Sequence, residues 1–291
     1  MIGLGRAAAR ALIGVPFLWL ALFFLLPLLM MLAVSFAHSQ IYATPPYAPV
    51  WGAGGVHGTV DNYRLLAADG CLCAYAGSLE NAAAATVLCL LIGYPIAHAI
   101  AGASGRTRNL LLFLVILPFW TSFLIRVYAW IAILQPTGLV NRLLLWLGLI
   151  HAPLPLLYNQ FSVLLGLVYS YLPFMILPIY GSLSQLDRSL LEASADLGAR
   201  PWRSFVAVTL PLSLPGAAAG VLLVFIPAFG EFVIPDLLGG PDTVMVGNVL
   251  WQEFFANRDW PTAAAVAIVL VAVLAVPVLI FQRFAERERP A

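Results

Sequence analysis

The stretch Glu192-Ala193-Ser194-Ala195-Asp196-Leu197-Gly198, followed after nine residues by Val208-Thr209-Leu210-Pro211, is a short polar segment between two long apolar ones. Ser189 lies three residues before Glu192, which is the spacing of a helix capping box. Glycine at position 198 can turn left-handed and end that helix. The pattern predicts a short exposed helix between two apolar segments of the chain.

A second short helix is predicted to follow directly. Pro201 suits the first turn of a helix, because its missing N–H is not needed there. Pro211 is expected to end or bend that helix. Two short helices at an angle make a docking element, in which Ala193, Ala195 and Leu197 contact a groove of a partner protein.

The composition places the whole chain in a membrane. Of the 291 residues, 62% are hydrophobic and 9% are charged, and the mean hydropathy is +0.96. So little polar surface cannot cover a soluble globule of this length. The formal net charge of +1 gives no indication of a nucleic-acid partner.

The type of basic residue excludes one class of enzyme. All 14 basic residues are Arg, and a Walker-type phosphate loop requires a Lys. The chain also lacks the His-Glu-x-x-His pattern and the Gly-x-Ser-x-Gly elbow. We therefore expect a non-catalytic protein with no cofactor of its own, and any nucleotide hydrolysis must occur on another subunit.

Six apolar segments have the length of about 20 residues that a membrane-spanning helix requires. They predict an all-α polytopic membrane protein whose residues 1–291 form a single transmembrane domain. The segments are Leu12 to Phe36, Leu79 to Ala101, Leu110 to Leu134, Phe161 to Ser182, Leu214 to about Pro235, and Pro261 to Phe281.

The distribution of arginine predicts the orientation. Ten of the 14 arginines fall on the side of the termini, and cytoplasmic loops carry such an excess. The termini and the loop at about 184–212 are therefore expected in the cytoplasm, and the loop at 37–78 outside. The outer side is net acidic, which favours a cationic cargo, although the insertion rule alone produces the same bias.

Two smaller features complete the outline. Cys71 and Cys73 lie too close in sequence for an unstrained disulfide, so free thiols are expected. The four histidines are scattered and predict no metal site. After Gly138, the apolar piece Leu143 to Ile150 is too short to cross a membrane and is interpreted as an interfacial helix.

Ionisable residues inside apolar spans are candidates for function. Arg126 and Glu231 are expected at similar depth, so one interpretation is an ion pair between them. The other is an acidic and aromatic pathway lining that would pass an ammonium group by charge and cation–π contact. Pro227 and Pro235 would break the fifth helix near the same depth. The pathway candidates are Glu231, Asp236, Trp120, Tyr128, Tyr169, Tyr171 and Arg126.

The polar segment resembles the EAA loop of permease subunits in bacterial binding-protein-dependent ABC importers. Ser194 stands where the loop has its second Ala, and Val208 where it has Ile. The resemblance implies the MetI-like permease fold in the bacterial inner membrane. It also implies a second homologous permease, two ATPase subunits that bind ATP and Mg²⁺, and a periplasmic substrate-binding protein. The residues implied in ATPase coupling are Glu192, Ala193, Ser194, Asp196, Gly198, Arg200, Pro201, Trp202, Leu210 and Pro211.

The segments 225–242 and 251–261 are similar to the putrescine-type permeases of polyamine ABC importers. The Arg258-Asp259-Trp260-Pro261 sequence is shared with spermidine-type relatives. The resemblance implies a polyamine cargo, putrescine or spermidine, selected by the binding protein. Related importers of iron or phosphonate carry similar segments, so iron, phosphonate or sulfate cargo remains the alternative within this class. A transporter that does not use ATP would need no docking loop.

Overall fold

The computed structural model describes residues 6–52, 55–66 and 69–287, which are predominantly helical. The helices are α1 (Arg6–Leu20), α2 (Leu26–Ser35), α3 (Asp61–Leu66), α4 (Asp69–Gly102), α5 (Gly105–Ile116), α6 (Phe123–Leu134), α7 (Leu139–Trp146), α8 (Gln160–Ser184), α9 (Arg188–Asp196), α10 (Pro201–Ser204), α11 (Leu210–Phe229), α12 (Val233–Leu238), α13 (Val246–Trp251) and α14 (Trp260–Arg287). Two short antiparallel pairs join β1 (His38–Ser39) to β2 (Tyr47–Ala48) and β3 (Trp51–Gly52) to β4 (Gly55–Val56).

Six helical stretches are long and apolar enough to cross a membrane, which confirms the predicted all-α architecture with six spans. They are Gly14–Ser35, Cys71–Gly102, Phe123–Trp146, Gln160–Ser184, Pro201–Phe229 and Trp260–Arg283. The bounds of the second, third and fifth differ from the sequence prediction.

The second span begins earlier than predicted because its polar residues are satisfied by hydrogen bonds within the protein. Helix α4 starts at Asp69, whereas an external loop was expected up to Ser78. The Ser78 hydroxyl accepts a hydrogen bond from the Val246 N–H at 2.8 Å. Gln160 donates its amide to Asn81 at 2.6 Å. Cys71 and Cys73 lie on this helix as free thiols, as predicted.

The third predicted span is not one helix. Helix α5 ends at Ile116, a 3₁₀ turn follows over Leu117–Trp120, and α6 begins at Phe123. The Pro118 carbonyl accepts hydrogen bonds from both the N–H and the hydroxyl of Thr121, and this local bonding competes with the helix. The apolar run therefore contains a break, which its hydropathy does not reveal.

The short apolar piece after Gly138 is helical as α7, although it begins at Leu139 and not at Leu143 and forms the end of the stretch Phe123–Trp146. Its interfacial position stays a prediction. The buried Asn141 side chain fixes the helix to the following loop. Its amide donates to the Leu154 carbonyl at 3.0 Å, and its carbonyl oxygen accepts from the Leu154 N–H at 2.8 Å.

Contacts between Cα atoms group the chain into two units, one of residues 1–72 and 249–272, the other of residues 73–248 and 273–291. In the first unit, the buried Asn62 amide donates to the carbonyls of Ser35 and Ala37. The Tyr63 and Ser35 hydroxyls share a hydrogen bond of 2.6 Å. These bonds fasten the short helix α3 to the end of α2.

The core of the second unit lies where α8 packs on α11. Gly220 approaches Met175 so closely that a Cβ would lie 2.8 Å from its sulfur, and Gly216 similarly approaches Pro178 and Ser182. Small residues permit such close packing of helices in a membrane, where van der Waals contact replaces the hydrophobic effect. Cys89 of α4 joins this buried cluster. The second unit contains both candidate sites.

Candidate functional site

The predicted docking element, residues 187–211, is called the docking segment below. It begins at the N-terminus of α9, where Asp187 and not Ser189 is the cap. The Asp187 carboxylate accepts a hydrogen bond from the Ser189 N–H at 3.0 Å. This bond from the Ser189 backbone holds the pKa of the Asp187 carboxyl below its ordinary value. The predicted capping box of Ser189 and Glu192 is therefore wrong, because an Asp two residues earlier supplies the acceptor.

The C-terminus of α9 has the predicted left-handed glycine. Gly198 has φ +76°, and a Cβ there would meet nothing within 4 Å. Its N–H donates to the Ala195 carbonyl at 2.8 Å, and the Ala199 N–H donates to Ser194 at 3.1 Å. Leu197, just before this turn, is 89% exposed. The turn at Gly198 therefore leaves the apolar side chain of Leu197 exposed at the surface.

The second docking helix is continuous with the fifth span. Helix α10 begins at Pro201 as predicted, but it passes through a π-helical turn over Phe205–Thr209 directly into α11. Pro211 lies in the first turn of α11 and does not end the helix. The predicted helix end is therefore wrong, and the alternative of a bend at Pro211 stays a prediction. A π turn accommodates a missing N–H within a continuous helix. Any movement at α10 is thus passed to a membrane helix.

Two contacts attach the docking segment to the span helices. Ser194 of α9 shares a hydrogen bond of 2.6 Å with Ser204 of α10. Phe205 stacks against Trp202 with ring centroids 5.5 Å apart, and it meets the edge-on rings of Tyr94 and His98 of α4 at 5.8 and 5.7 Å. The sequence prediction did not include Ser204, Phe205 or Tyr94. The helical spacing of Trp202 and Phe205 was the available signal for the aromatic contact.

A cavity of about 700 Å³ lies beside the docking helix. It is lined by residues of α4, α5, α8 and α9, among them His98, Arg108 and Glu192. The Arg108 guanidinium donates to the carbonyls of Ala101 and Ala103 at the end of α4. Helix α9 therefore has open space on the side that faces these span helices.

The second candidate site is the break after α11. This helix ends at Phe229, and the residues up to Phe232 are not helical. The break lies at Gly230, not at Pro227 or Pro235, which both remain inside helices. Gly247 packs against the carbonyls of Gly230 and Glu231, where a Cβ would lie 2.6 Å from each oxygen.

The carboxylate of Glu231 organises this break. It accepts hydrogen bonds from the N–H groups of Phe232 at 3.1 Å and Val233 at 3.0 Å, and from the Tyr171 hydroxyl of α8. The Asn248 amide donates to the Phe232 carbonyl at 3.1 Å. Glu231 therefore caps α12 and ties it to α8, which satisfies a carboxylate that would otherwise be costly in a membrane.

Arg126 does not pair with Glu231. Within the described residues, no ion pair joins them, and the Glu231 oxygens have the partners given above. The Arg126 guanidinium instead lies over the rings of Phe119 and Phe123, with its central carbon 5.5 and 5.8 Å from their centroids. Its Nε and Nη1 atoms are buried without an acceptor.

Within the described residues, no hydrogen bond joins the remaining pathway candidates to Glu231. Trp120 and Tyr128 are 72% and 57% exposed, and Tyr169 packs edge-on against Trp130 at 5.4 Å. Asp236 is exposed in the first turn of α12. Of the predicted pathway set, the structure brings Tyr171 and Glu231 together.

A family model described as the binding-protein-dependent transport system inner membrane component matches residues 89–289. The chain belongs to this family. It is a permease subunit of an ABC importer and not its ATPase. The matched residues of this permease include both candidate sites.

Relatives and solved structures agree with this assignment. The permease is 42% identical over 274 residues to the spermidine/putrescine transport system permease protein PotB of Haemophilus influenzae, covering 93% of this chain and 92% of the relative. Its fold is similar to a chain of a bacterial alginate ABC transporter in complex with its periplasmic protein, with a TM-score of 0.72, 19% identity, and 96% and 94% coverage. A MetNI methionine ABC transporter chain gives a TM-score of 0.57 at 16% identity, with 75% and 95% coverage. These two likenesses confirm the MetI-like fold.

Proposed function

We propose that this permease forms half of the translocation pathway of an importer that carries a polyamine, putrescine or spermidine, delivered by a periplasmic binding protein. The 42% identity to a spermidine/putrescine permease over nearly the whole chain supports this cargo. A second homologous permease completes the pathway. Two ATPase subunits bind ATP and Mg²⁺, and the termini and α9 face the cytoplasm.

The proposed role in coupling ATP hydrolysis to transport rests on one observation, the attachment of α9 to the helices that span the membrane. Ala193 and Leu197 are exposed and available to a partner, whereas Glu192 lines the cavity beside α9. The Ser194 bond joins α9 to α10, which is continuous with α11. Closure of the ATPase dimer beneath α9 would therefore displace a membrane helix, and the two sites would share a coupling free energy.

Phe205 provides a second contact through which a movement of α10 would reach the membrane helices. Its ring lies against Tyr94 and His98 of α4, and the Tyr94 hydroxyl shares a hydrogen bond of 2.7 Å with Ser213 of α11. A shift of Phe205 would thus act on α4 and α11 together. We expect Phe205→Leu, which keeps a large apolar side chain but removes the ring contacts, to lower the amount of cargo imported per ATP hydrolysed.

Glu231 and Tyr171 are the proposed pathway residues nearest to a break in a span. The carboxylate accepts its hydrogen bonds from uncharged groups, so it would attract a protonated amine without having to leave them. Asp236 in α12 follows Glu231 in the chain, is exposed, and adds a second negative charge. This arrangement fits a cation better than sulfate or phosphonate.

The test is reconstitution of the whole importer in liposomes with its ATPase subunits and binding protein. We expect putrescine- or spermidine-loaded binding protein to stimulate both ATP hydrolysis and uptake. Sulfate, phosphonate and ferric iron serve as competitors. Stimulation by one of these instead of a polyamine would contradict the proposed cargo, and uptake without ATP would contradict the importer class.

A further inference from the structure

Arg108 is held in a fixed position at the edge of the cavity beside α9. Its Nη2 atom donates to the carbonyls of Ala101 and Ala103 at 3.3 and 3.0 Å, so it caps the C-terminus of α4. A cation at this end of a helix also offsets the negative end of the helix dipole. The guanidinium is therefore fastened to the end of a membrane-spanning helix.

One donor of this guanidinium lacks an acceptor. The Nε atom of Arg108 is buried, and within the described residues no group accepts a hydrogen bond from it. The large majority of buried polar side-chain atoms in proteins have a partner, and a buried donor without one costs free energy. An arginine cannot avoid this cost by losing its proton. An acceptor that reaches the Nε atom would therefore stabilise the guanidinium.

Glu192 brings an acid to the same cavity. Among the described residues that line the cavity, Glu192 carries the carboxylate, and His98 and Arg108 are the basic residues. No ion pair joins Glu192 to Arg108 within the described part of the chain. The cavity of about 700 Å³ therefore has a fixed cation and an unpaired acid at its edge.

The two charges belong to elements with different attachments. Arg108 is bonded to the end of α4. Glu192 is on α9, which the hydrogen bond of 2.6 Å between Ser194 and Ser204 joins to α10. A movement of α9 and α10 against α4 would change the volume of the cavity and the distance between the carboxylate and the guanidinium.

We propose that Glu192 and Arg108 form an ion pair in one state of the transport cycle, when α9 moves into the cavity, and that the pair stabilises this closed position of α9. The inference rests on the coupling role proposed for α9. A hydrogen bond between two charged groups is about twice as strong as one between neutral groups. The pair would thus give the two positions of α9 different free energies, which is the condition for one input to shift the equilibrium between them.

Two cysteines placed at the cavity test the closing movement, in a chain whose three native cysteines are replaced by alanine. Gly102 and Leu191 both line the cavity, and a Cβ at Gly102 would meet nothing within 4 Å. In the complete importer with Gly102→Cys and Leu191→Cys, we expect a short bifunctional thiol reagent to give about fivefold more crosslink in one nucleotide state than in the other, the lower end of typical coupling between sites. Gly102→Cys with Leu197→Cys is the matched control and should show no such gain, because Leu197 is 89% exposed and is not among the lining residues.

The charges are tested by Glu192→Gln, Arg108→Gln and the double variant. Glutamine at position 108 keeps an amide that can donate to the Ala101 and Ala103 carbonyls, so it removes the charge while retaining donors for the cap. We expect each single variant to abolish most of the difference in crosslinking between the two nucleotide states. The double variant should lose no more than either single one, because the two residues act as one pair. An unchanged difference in both single variants would refute the pair. Additive losses, or a loss in Glu192→Gln alone, would refute it too and assign the carboxylate to the ATPase.

A photoreactive amino acid at Leu197 separates this proposal from the coupling role itself. Benzoylphenylalanine at this exposed position should give a covalent adduct with the ATPase if α9 docks on it. No adduct in the assembled importer would count against the coupling role. Equal crosslinking of Gly102→Cys and Leu191→Cys in both nucleotide states, with the adduct present, would instead overturn the ion pair.

Discussion

Substitution of Gly198 tests whether the left-handed turn after α9 sets the position of the docking helix. A Cβ at this residue would meet nothing within 4 Å, so a side chain costs backbone strain alone. The left-handed conformation costs an ordinary L-residue about 1–2 kcal/mol, and more for a β-branched one. A cost of about 1 kcal/mol for Gly198→Ala changes the population of the turn about fivefold. Gly198→Val should change it further.

An Asn and Asp pair separates geometry from charge. Both residues tolerate φ +76° because their short side chains bond locally. Asp adds a negative charge at the C-terminus of α9, where the helix dipole is also negative, at a cost of about 0.3–1 kcal/mol. It also adds to the charges of Glu192 and Asp196 on the docking helix. We expect Gly198→Asn to behave almost as the wild type and Gly198→Asp to uncouple ATP hydrolysis from uptake.

The assay is the number of cargo molecules imported per ATP hydrolysed in proteoliposomes, with insertion of each variant measured separately. The expected order is wild type and Asn highest, then Ala, then Val. Hydrogen exchange at residues 195–199 should rise in the same order from Asn to Val and stay low for Asp. Normal coupling in Gly198→Val, or a defect in Asn equal to that in Val, would refute the role of the turn.

Three further predictions concern single bonds and contacts. Tyr171→Phe removes one hydrogen bond to the Glu231 carboxylate and should lower the stability of the solubilised importer by about 1.5–3 kcal/mol, measured by thermal unfolding; an unchanged midpoint contradicts it. Gly220→Val should separate α8 from α11 and cost about 1–3 kcal/mol, whereas Gly14→Val, with nothing within 4 Å of its Cβ, is the matched control and should cost little. The lowered pKa of Asp187 means that its cap stabilises α9 at neutral pH and is lost as the pH falls below its ordinary value of 3.8. The protection of the first turn of α9 from hydrogen exchange, relative to the intrinsic rate at each pH, should therefore fall in acid in the wild type and be low at all pH values in Asp187→Ala.

Local signals in the sequence predicted the docking segment well because its conformation depends on near neighbours. Gly198 turns left-handed and Pro201 starts a helix, since each effect is set by the backbone of one residue. The capping-box pattern predicts Ser189 as the cap, because it pairs a hydroxyl with an acid three residues later. Asp187 is an equally good acceptor and lies where α8 has already ended. Which of two nearby acceptors caps a helix depends on where the preceding helix stops.

Hydropathy predicted how many spans exist but not where they are interrupted. The break at Thr121 and Ser122 arises from hydrogen bonds to the Pro118 carbonyl, and a window average over twenty residues does not register them. The continuity of α10 with α11 was missed for the opposite reason. Pro211 is a strong local signal for a helix end, but a π turn before it lets the helix continue.

The position of a residue along its helix predicts its depth in the membrane but not the direction in which its side chain points. Depth alone was therefore insufficient to pair Arg126 with Glu231. Glu231 lies in a non-helical break, where two backbone N–H groups of the next residues are within reach of its carboxylate. Those N–H groups have no helical partner, so capping them satisfies the carboxylate and the backbone at once. The hydrogen bonds of Glu231 therefore account for its carboxylate without Arg126, whose guanidinium lies over the rings of Phe119 and Phe123.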